Sequence, residues 1–421
     1  MHRVIIALTL LATLGTGGSS ATDWSMFHLN PRHSGFNRDE TTINRGNVKF
    51  LAQSWVGIAG DLVDFSSPAV VGDSVYLGST DGNLYVFNAE GCGSSTCNAT
   101  WIGSGGAGSI YSSPAVAHGM VYVGSNNHKL LVFPAAGCGQ TSCTPLWTGK
   151  LGGGILQSSP VVAGKLVFVG SFDNKLYAFR AAGCGQVTCS PVWTGTTGDH
   201  IESSPAVSGD VVYVGSNDGK LYAFATEGCG STDCPPLWTG ATGGQIFESS
   251  PMVSNGIVYI GSFDGKLYAF DANGCGTATC SPLWTGTTNS LYVDSSPAVA
   301  NGLVFIGSGD GQLYSFPAAG CGESNCRPTW IGLGNGGAAT MLSSPAVANG
   351  VVYAGKNTSQ VMAYSAAGCG RSACAPLWIG LTDDSIVSSS PALVNGTLYI
   401  GSSNKFDGAH PGRLYVFKLS N

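Results

Sequence analysis

Three carboxylates occupy one position of a repeated sequence element and are the residues best suited to hold a ligand or a cation. The residue before each Ser-Ser-Pro differs between copies of the element, and three consecutive copies carry Glu202, Glu248 and Asp294. Like charges on one arc would bind a hard cation such as Ca²⁺ or raise the pKa of one member. The alternative interpretation is that lysines on neighbouring turns neutralise them, namely Lys175, Lys220 and Lys266.

Aromatic residues on the segments that vary between copies are candidates for recognition. Phe65, Tyr111 and Tyr292 are of this kind, although packing at the rim of the fold would explain them equally well. No G-x-S-x-G elbow, H-E-x-x-H or phosphate-binding loop is present, so we expect no catalytic residues and no dedicated metal site. The aspartates that recur before glycine, as in Asp218-Gly219 and Asp264-Gly265, are typical of hairpin turns.

The 14 cysteines form seven pairs with four residues between partners. The pairs are Cys92/Cys97, Cys138/Cys143, Cys184/Cys189, Cys229/Cys234, Cys275/Cys280, Cys321/Cys326 and Cys369/Cys374. An even count in a chain that begins like an exported protein favours disulfides over metal ligands, and the register of the repeat predicts that each pair closes on itself. We expect such small loops to staple hairpins rather than to define the fold.

The repeat itself predicts the fold. Ser-Ser-Pro, an apolar strand ending in Gly-Ser, a turn, Leu-Tyr-x-Phe, a cysteine pair and a Trp recur at intervals of 45 to 48 residues. Four short strands per copy indicate an all-β, eight-bladed β-propeller of four-stranded antiparallel blades. The first Trp strand precedes any Ser-Ser-Pro, and the last copy lacks one, so the N-terminal strand should complete the last blade. The Trp-to-Ser loops should then share one face of the ring.

Composition and the N-terminus set the context. Residues 1–21 combine a basic start, a short apolar stretch and small residues, which predicts a signal peptide; residues 22–48 form a lead-in and 49–421 the propeller. We therefore expect a periplasmic or extracellular monomer without a transmembrane segment in the mature chain. A net charge of -6 without basic clusters argues against nucleic acid as a partner.

The run from Ile257 to Trp284, IVYIGSFDGKLYAFDANG followed by LW, resembles the pyrroloquinoline-quinone (PQQ)-like β-propeller repeat. That family includes quinoprotein alcohol dehydrogenases and the barrel-assembly propeller lipoprotein of bacterial outer membranes, so the resemblance implies the fold but not one activity. The adjacent cysteines and large insertions of the quinoprotein dehydrogenases are missing from this sequence.

Three functional hypotheses follow. The first is a non-catalytic binding or scaffold propeller without a cofactor, which captures a protein or another extracellular ligand on the Trp-to-Ser loop face. The second is a PQQ- and Ca-dependent quinoprotein dehydrogenase that uses the three carboxylates to hold Ca²⁺. The third is a carbohydrate-binding propeller with repeated sites.

Overall fold

Eight β-sheets surround a central axis in the computed structural model, which describes residues 23–63, 65–334, 339–403 and 411–420. The predicted signal peptide, and Asp407 of the repeated turns, lie outside the described residues. We number the blades 1 to 8 in the order of their Ser-Ser-Pro elements.

Each blade contains four antiparallel strands, as predicted. The innermost strands are Ala69–Val71, Ala115–Ala117, Val161–Ala163, Ala206–Ser208, Met252–Ser254, Ala298–Ala300, Ala346–Ala348 and Ala392–Val394. The second strands are Ser74–Gly78, Met120–Ser125, Leu166–Gly170, Val211–Ser216, Ile257–Ser262, Leu303–Gly307, Val351–Lys356 and Thr397–Ser402. The third strands are Asn83–Asn88, Lys129–Pro134, Lys175–Arg180, Lys220–Ala225, Lys266–Asp271, Leu313–Pro317, Gln360–Ser365 and Arg413–Leu419.

The fourth strands of blades 1 to 7 are Trp101–Ser104, Trp147–Lys150, Trp193–Thr196, Trp238–Ala241, Trp284–Thr287, Trp330–Gly332 and Trp378–Leu381. In blade 8 the fourth strand is Leu51–Ile58, which pairs antiparallel with Arg413–Leu419. The N-terminal strand therefore completes the last blade and closes the ring, as the sequence predicts.

A fifth strand, not predicted from the sequence, connects neighbouring blades. The second cysteine of each pair lies in a short strand that runs parallel to the fourth strand of the preceding blade. We call these the covering strands: Thr96–Asn98, Ser142–Cys143, Thr188–Cys189, Asp233–Cys234, Thr279–Cys280, Asn325–Cys326 and Ala373–Cys374.

The seven disulfides link the predicted pairs, with Cα–Cα distances between 5.6 and 5.8 Å. The expectation that they only staple hairpins needs correction, because the second cysteine of each pair is buried against the preceding blade. Cys97, for example, is 3% exposed and lies opposite Gly57 of the strand that closes blade 8. The other six are also buried, namely Cys143, Cys189, Cys234, Cys280, Cys326 and Cys374. The cysteine loops thus join blades as well as stapling hairpins.

The tryptophans also pack between blades. The glycine before the first cysteine of a pair lies over the indole of the preceding blade; a Cβ on Gly183 would lie 3.0 Å from Trp147 Cδ1. Gly183 also has φ +77°, a conformation that L-residues rarely adopt. Both the close approach of the indole and the positive φ therefore favour glycine at this position.

Ser-Ser-Pro supplies two different hydrogen bonds. The first serine accepts the N–H of the glycine that ends the second strand of its own blade, as Ser203 does from Gly215 at 3.1 Å. The second serine accepts the N–H of its counterpart in the preceding blade, as Ser204 does from Ser159 at 2.9 Å. The eight second serines form a closed ring that includes the bond from Ser390 to Ser67.

The lead-in fills the centre of the ring at the cysteine-loop face. It runs along the innermost strands and exchanges backbone hydrogen bonds with six of them, through Trp24, Ser25, Pro31, Arg32, Ser34 and Gly35. Its short strand Phe36–Asn37 pairs parallel with Ala346–Ala348, and a 3-10 helix, Val48–Phe50, leads into the strand that closes the ring. Among the described residues, no helix is long and apolar enough to cross a membrane.

Candidate functional site

The axis of the propeller contains a small polar cavity of about 30 Å³. It lies inside the ring of second serines, with Phe27 of the lead-in among its lining residues and Gln157, Glu248, Asp294 and Ser388 contributing from the residues before Ser-Ser-Pro. A volume of this size holds about one or two water molecules. Pockets for organic ligands and cofactors are larger, at roughly 300–1,000 Å³.

Glu248 reaches across the axis. Gln157 Nε2 of blade 3 donates to Glu248 Oε1 at 2.9 Å, and Ser388 Oγ of blade 8 donates to Oε2 at 2.8 Å. Its own N–H donates to Asp294 Oδ1 at 3.1 Å. The Glu248 carboxylate therefore connects blade 5 to blades 3 and 8, and its backbone N–H connects it to blade 6.

The other two predicted carboxylates are buried beside it. Burial raises the pKa of Asp294 to about 7; the bond from the Glu248 N–H opposes the rise, and the negative charge of Glu202 adds to it. Burial also raises the pKa of Glu202, although the Asn217 amide, which donates to Glu202 Oε1 at 3.0 Å, stabilises the charged form. Glu248 and Asp294 line the cavity, whereas Glu202 turns toward Asn217 and does not.

Lys220 and Lys266 pair with turn aspartates and not with these acids. For these two lysines, the interpretation that they neutralise the three carboxylates is wrong. Lys220 pairs with Asp218 at 3.4 Å and Lys266 with Asp264 at 3.3 Å. The turn aspartates are thus structural as expected, and they also accept the hydroxyl of the tyrosine four residues later. Within the described residues, no group of three or more His, Cys, Asp or Glu side chains has the arrangement of a metal site.

Two histidines of the lead-in, His28 and His33, lie next to Phe27, which lines the axial cavity. Their positions in the sequence did not predict this. Phe27 stacks on His28 at a centroid distance of 4.7 Å and meets His33 edge-on at 5.3 Å. Burial lowers the pKa of His28 to about 4 and that of His33 to about 3. His33 Nδ1 lies 3.0 Å from the Pro251 carbonyl oxygen, which fixes the neutral ring against blade 5. The lead-in therefore forms a plug in which His28 and His33 are buried.

The predicted recognition aromatics fall into two separate clusters on the loop face, the face that carries the Trp-to-Ser loops. Phe65 and Tyr111 contact each other edge to face at 5.4 Å beside the axis. Tyr292 instead stacks on Phe263 at 5.3 Å, and Phe263 contacts Phe247 at 5.7 Å.

We call Phe247, Phe263, Leu291 and Tyr292 the aromatic cluster; it belongs to blades 5 and 6. Phe263 is 38% exposed and Leu291 85% exposed. The loops that carry the cluster are anchored to the propeller, because one apolar residue of each loop, such as Ile246 or Val293, packs on a strand glycine of the preceding blade. Comparison of the blades could have identified Phe263 from the sequence. In only one other blade, at Phe172, is the residue that follows the second strand aromatic.

A family model named PQQ_2 and described as outer membrane protein assembly factor BamB matches residues 42–183, 140–368 and 187–421. The chain belongs to this family. Membership in the PQQ-like BamB family confirms the resemblance of the repeats, although no curated protein matches the chain in sequence.

Solved structures share the fold at low sequence identity. BamB from Moraxella catarrhalis has a TM-score of 0.64 at 17% identity, with 88% of this chain and 98% of that chain covered. A quinohemoprotein alcohol dehydrogenase from Comamonas testosteroni has a TM-score of 0.70 at 13% identity, with 94% and 80% covered. The computationally designed Ika8 protein has a TM-score of 0.64 at 14% identity, with 86% and 99% covered. The propeller is thus common to an assembly factor, an enzyme and a design.

Proposed function

We propose that this chain is an exported, non-catalytic propeller that binds a protein partner through the aromatic cluster of its loop face. The observation that carries the proposal is the cluster itself: exposed aromatic and aliphatic side chains on loops whose backbones are held by the blades beneath. Rigid aromatic residues in contact with one another are the usual anchors of protein interfaces. Seven disulfides support export, because such bonds persist in oxidising compartments.

The axial cavity supports the non-catalytic part of the proposal. Its volume of about 30 Å³ is far below that of pockets for organic cofactors, and the hydrogen bonds from Gln157 and Ser388 engage both carboxylate oxygens of Glu248. A PQQ- and Ca-dependent dehydrogenase would require these groups to separate. We therefore expect no saturable PQQ binding at micromolar concentration with excess Ca²⁺, and no dye-linked oxidation of alcohols or sugars.

Site-specific photo-crosslinking of the full chain in the cells that export it tests the proposal. A photoreactive residue at Leu291 should give one discrete adduct with a protein, and the double variant Phe263→Ser/Tyr292→Ser should remove most of it. The matched control is a photoreactive residue at Leu237, which is 55% exposed but lies on the outer rim. Equal adducts from both positions, or PQQ-dependent oxidation by the purified protein, would refute the proposed function.

A further inference from the structure

The outer edge of blade 7 differs from every other outer edge in the part of the chain that the structure describes. Seven sheets end in a covering strand supplied by the next blade, whereas the sheet of blade 7 ends in Trp378–Leu381 itself. Blade 8 would have to supply the missing strand, but its fourth strand comes from the N-terminal part of the chain.

The backbone of this edge is oriented to bind another strand. In each covered blade, the residue after the Trp donates its N–H outward to a carbonyl next to the covering strand, as Thr148 does to Val187 O at 2.8 Å. Ile379 occupies this position in blade 7, and its N–H has no outward acceptor among the described residues. Unpaired strand edges of this kind are templates for a further strand.

The tryptophan at this edge is correspondingly less covered than its equivalents. Trp378 is only partly buried, whereas the other seven tryptophans of the repeat are between 2 and 8% exposed. In the covered blades the equivalent indole lies beneath a glycine of the next cysteine loop, as Trp147 lies beneath Gly183. The Trp378 indole N–H donates instead to Leu51 O at 2.9 Å. The 3-10 helix Val48–Phe50 lies near this strand, but among the described residues no strand pairs with its outer backbone edge.

We propose that the blade 7 edge, residues Ile379–Leu381, binds an extended segment of a partner polypeptide that takes the place of the missing covering strand. The seven internal examples define the chemistry of the occupant. It pairs parallel to the edge, and it presents an exposed residue followed by a small apolar side chain, because each covering cysteine is only 1 to 5% exposed. Main-chain hydrogen bonds would supply the affinity, and the pocket taken by the cysteine would select the side chain.

The occupant is a different polypeptide and not a second copy of this chain. All seven covering strands are already paired inside the ring, so a copy has none to donate. The site lies on the outer rim, away from the loop face, and it stands independently of the proposed function.

The probe is a disulfide-cyclised peptide with the sequence of residues 183–190, which contains one of the chain's own covering strands. At millimolar concentration it should slow amide hydrogen exchange at Ile379 and Leu381 in the full chain. Ile379→Pro removes the outward donor, and proline is tolerated where an edge N–H faces solvent. This variant should lower the affinity at least tenfold without lowering Tm, whereas the matched Thr148→Pro should lower Tm, since it breaks the bond to Val187.

Three results would overturn the proposal. The first is an Ile379 amide that is already protected from exchange in the free protein. The second is exchange at Ile379 and Leu381 that the peptide leaves unchanged. The third is a dimer that Ile379→Pro dissociates, which would assign the edge to a second copy of the chain. If Ile379→Pro fails to fold, Leu381→Glu provides the second variant, with the same expected loss of peptide binding. Peptide binding should be unaffected by Phe263→Ser, so failure here and failure of the proposed function are distinguishable.

Discussion

Replacing Ser204 by alanine tests whether the second serine of Ser-Ser-Pro joins blades. Ser204 Oγ accepts the N–H of Ser159 at 2.9 Å, and the two residues are 3% and 2% exposed. A buried N–H that loses its acceptor costs about 1–3 kcal/mol. If this cost appears as easier local opening, the Ser159 amide should exchange about 5- to 160-fold faster in Ser204→Ala.

Native-state hydrogen exchange read at single residues measures this effect. The Ser113 amide, which donates to Ser159 Oγ at 3.0 Å, is the internal control and should keep its rate. Ser203→Ala is the matched variant, because Ser203 Oγ accepts from Gly215 within the same blade. It should accelerate the Gly215 amide and leave Ser159 unchanged. Equal rates at Ser159 in Ser204→Ala and the parent chain would refute the assignment of this serine as an inter-blade acceptor.

Three further changes probe the loops and the plug. Gly183→Ala should lower stability by at least 1 kcal/mol more than Gly185→Ala, because both glycines have φ +77° but only a Cβ at Gly183 meets an indole; equal losses in urea unfolding would contradict this. The double variant Cys184→Ser/Cys189→Ser should lower the free energy of unfolding by about 2 kcal/mol, the chain-entropy value for so small a loop. An unchanged denaturation midpoint would contradict this expectation. His33 has a folded-state pKa of about 3 against 6.5 unfolded, so stability falls as pH drops from 6.5 toward 3. His33→Asn should reduce the loss between pH 7 and 5 by about 2 kcal/mol in pH-dependent unfolding, whereas an identical pH profile would show that His33 protonates freely.

The repeated part of the fold was predictable because each blade contains the same local signals. Turn residues, alternating apolar positions and the cysteine spacing all point to one supersecondary unit, and counting strands at both ends predicted the closure by Leu51–Ile58. The covering strands were not predictable, since a two-residue strand such as Thr188–Cys189 has no periodicity to detect. Its pairing depends on the approach of the preceding blade, and so does the burial of Cys97 and its equivalents.

For the candidate site, the sequence predicted only the positions of the residues in the ring. Comparison of the residues before Ser-Ser-Pro placed Glu202, Glu248 and Asp294 on one arc, because equivalent positions in a ring have equivalent places. The direction of each side chain was not contained in the register. Glu248 crosses to Gln157 and Ser388, residues 91 and 140 positions away in the chain, and no local pattern couples them.

The closure of the ring and the uncovered edge of blade 7 have one topological cause. In blades 1 to 7 the cysteine loop connects the third strand to the fourth, but in blade 8 these strands, Arg413–Leu419 and Leu51–Ile58, come from opposite ends of the chain. No connection exists there to carry a cysteine loop, so the blade before it stays uncovered.

Grafting residues 182–190 directly after Leu419, which is the equivalent of Ala181, should therefore place a covering strand on blade 7 in cis. We expect protection of the Ile379 amide, a higher Tm and loss of binding of the cyclic peptide. The same graft with both cysteines replaced by serine is the control and should protect less, because the closed loop holds the strand extended. If the cysteine-containing graft leaves the Ile379 amide as exposed as in the parent chain, the edge of blade 7 is not equivalent to the other seven outer edges.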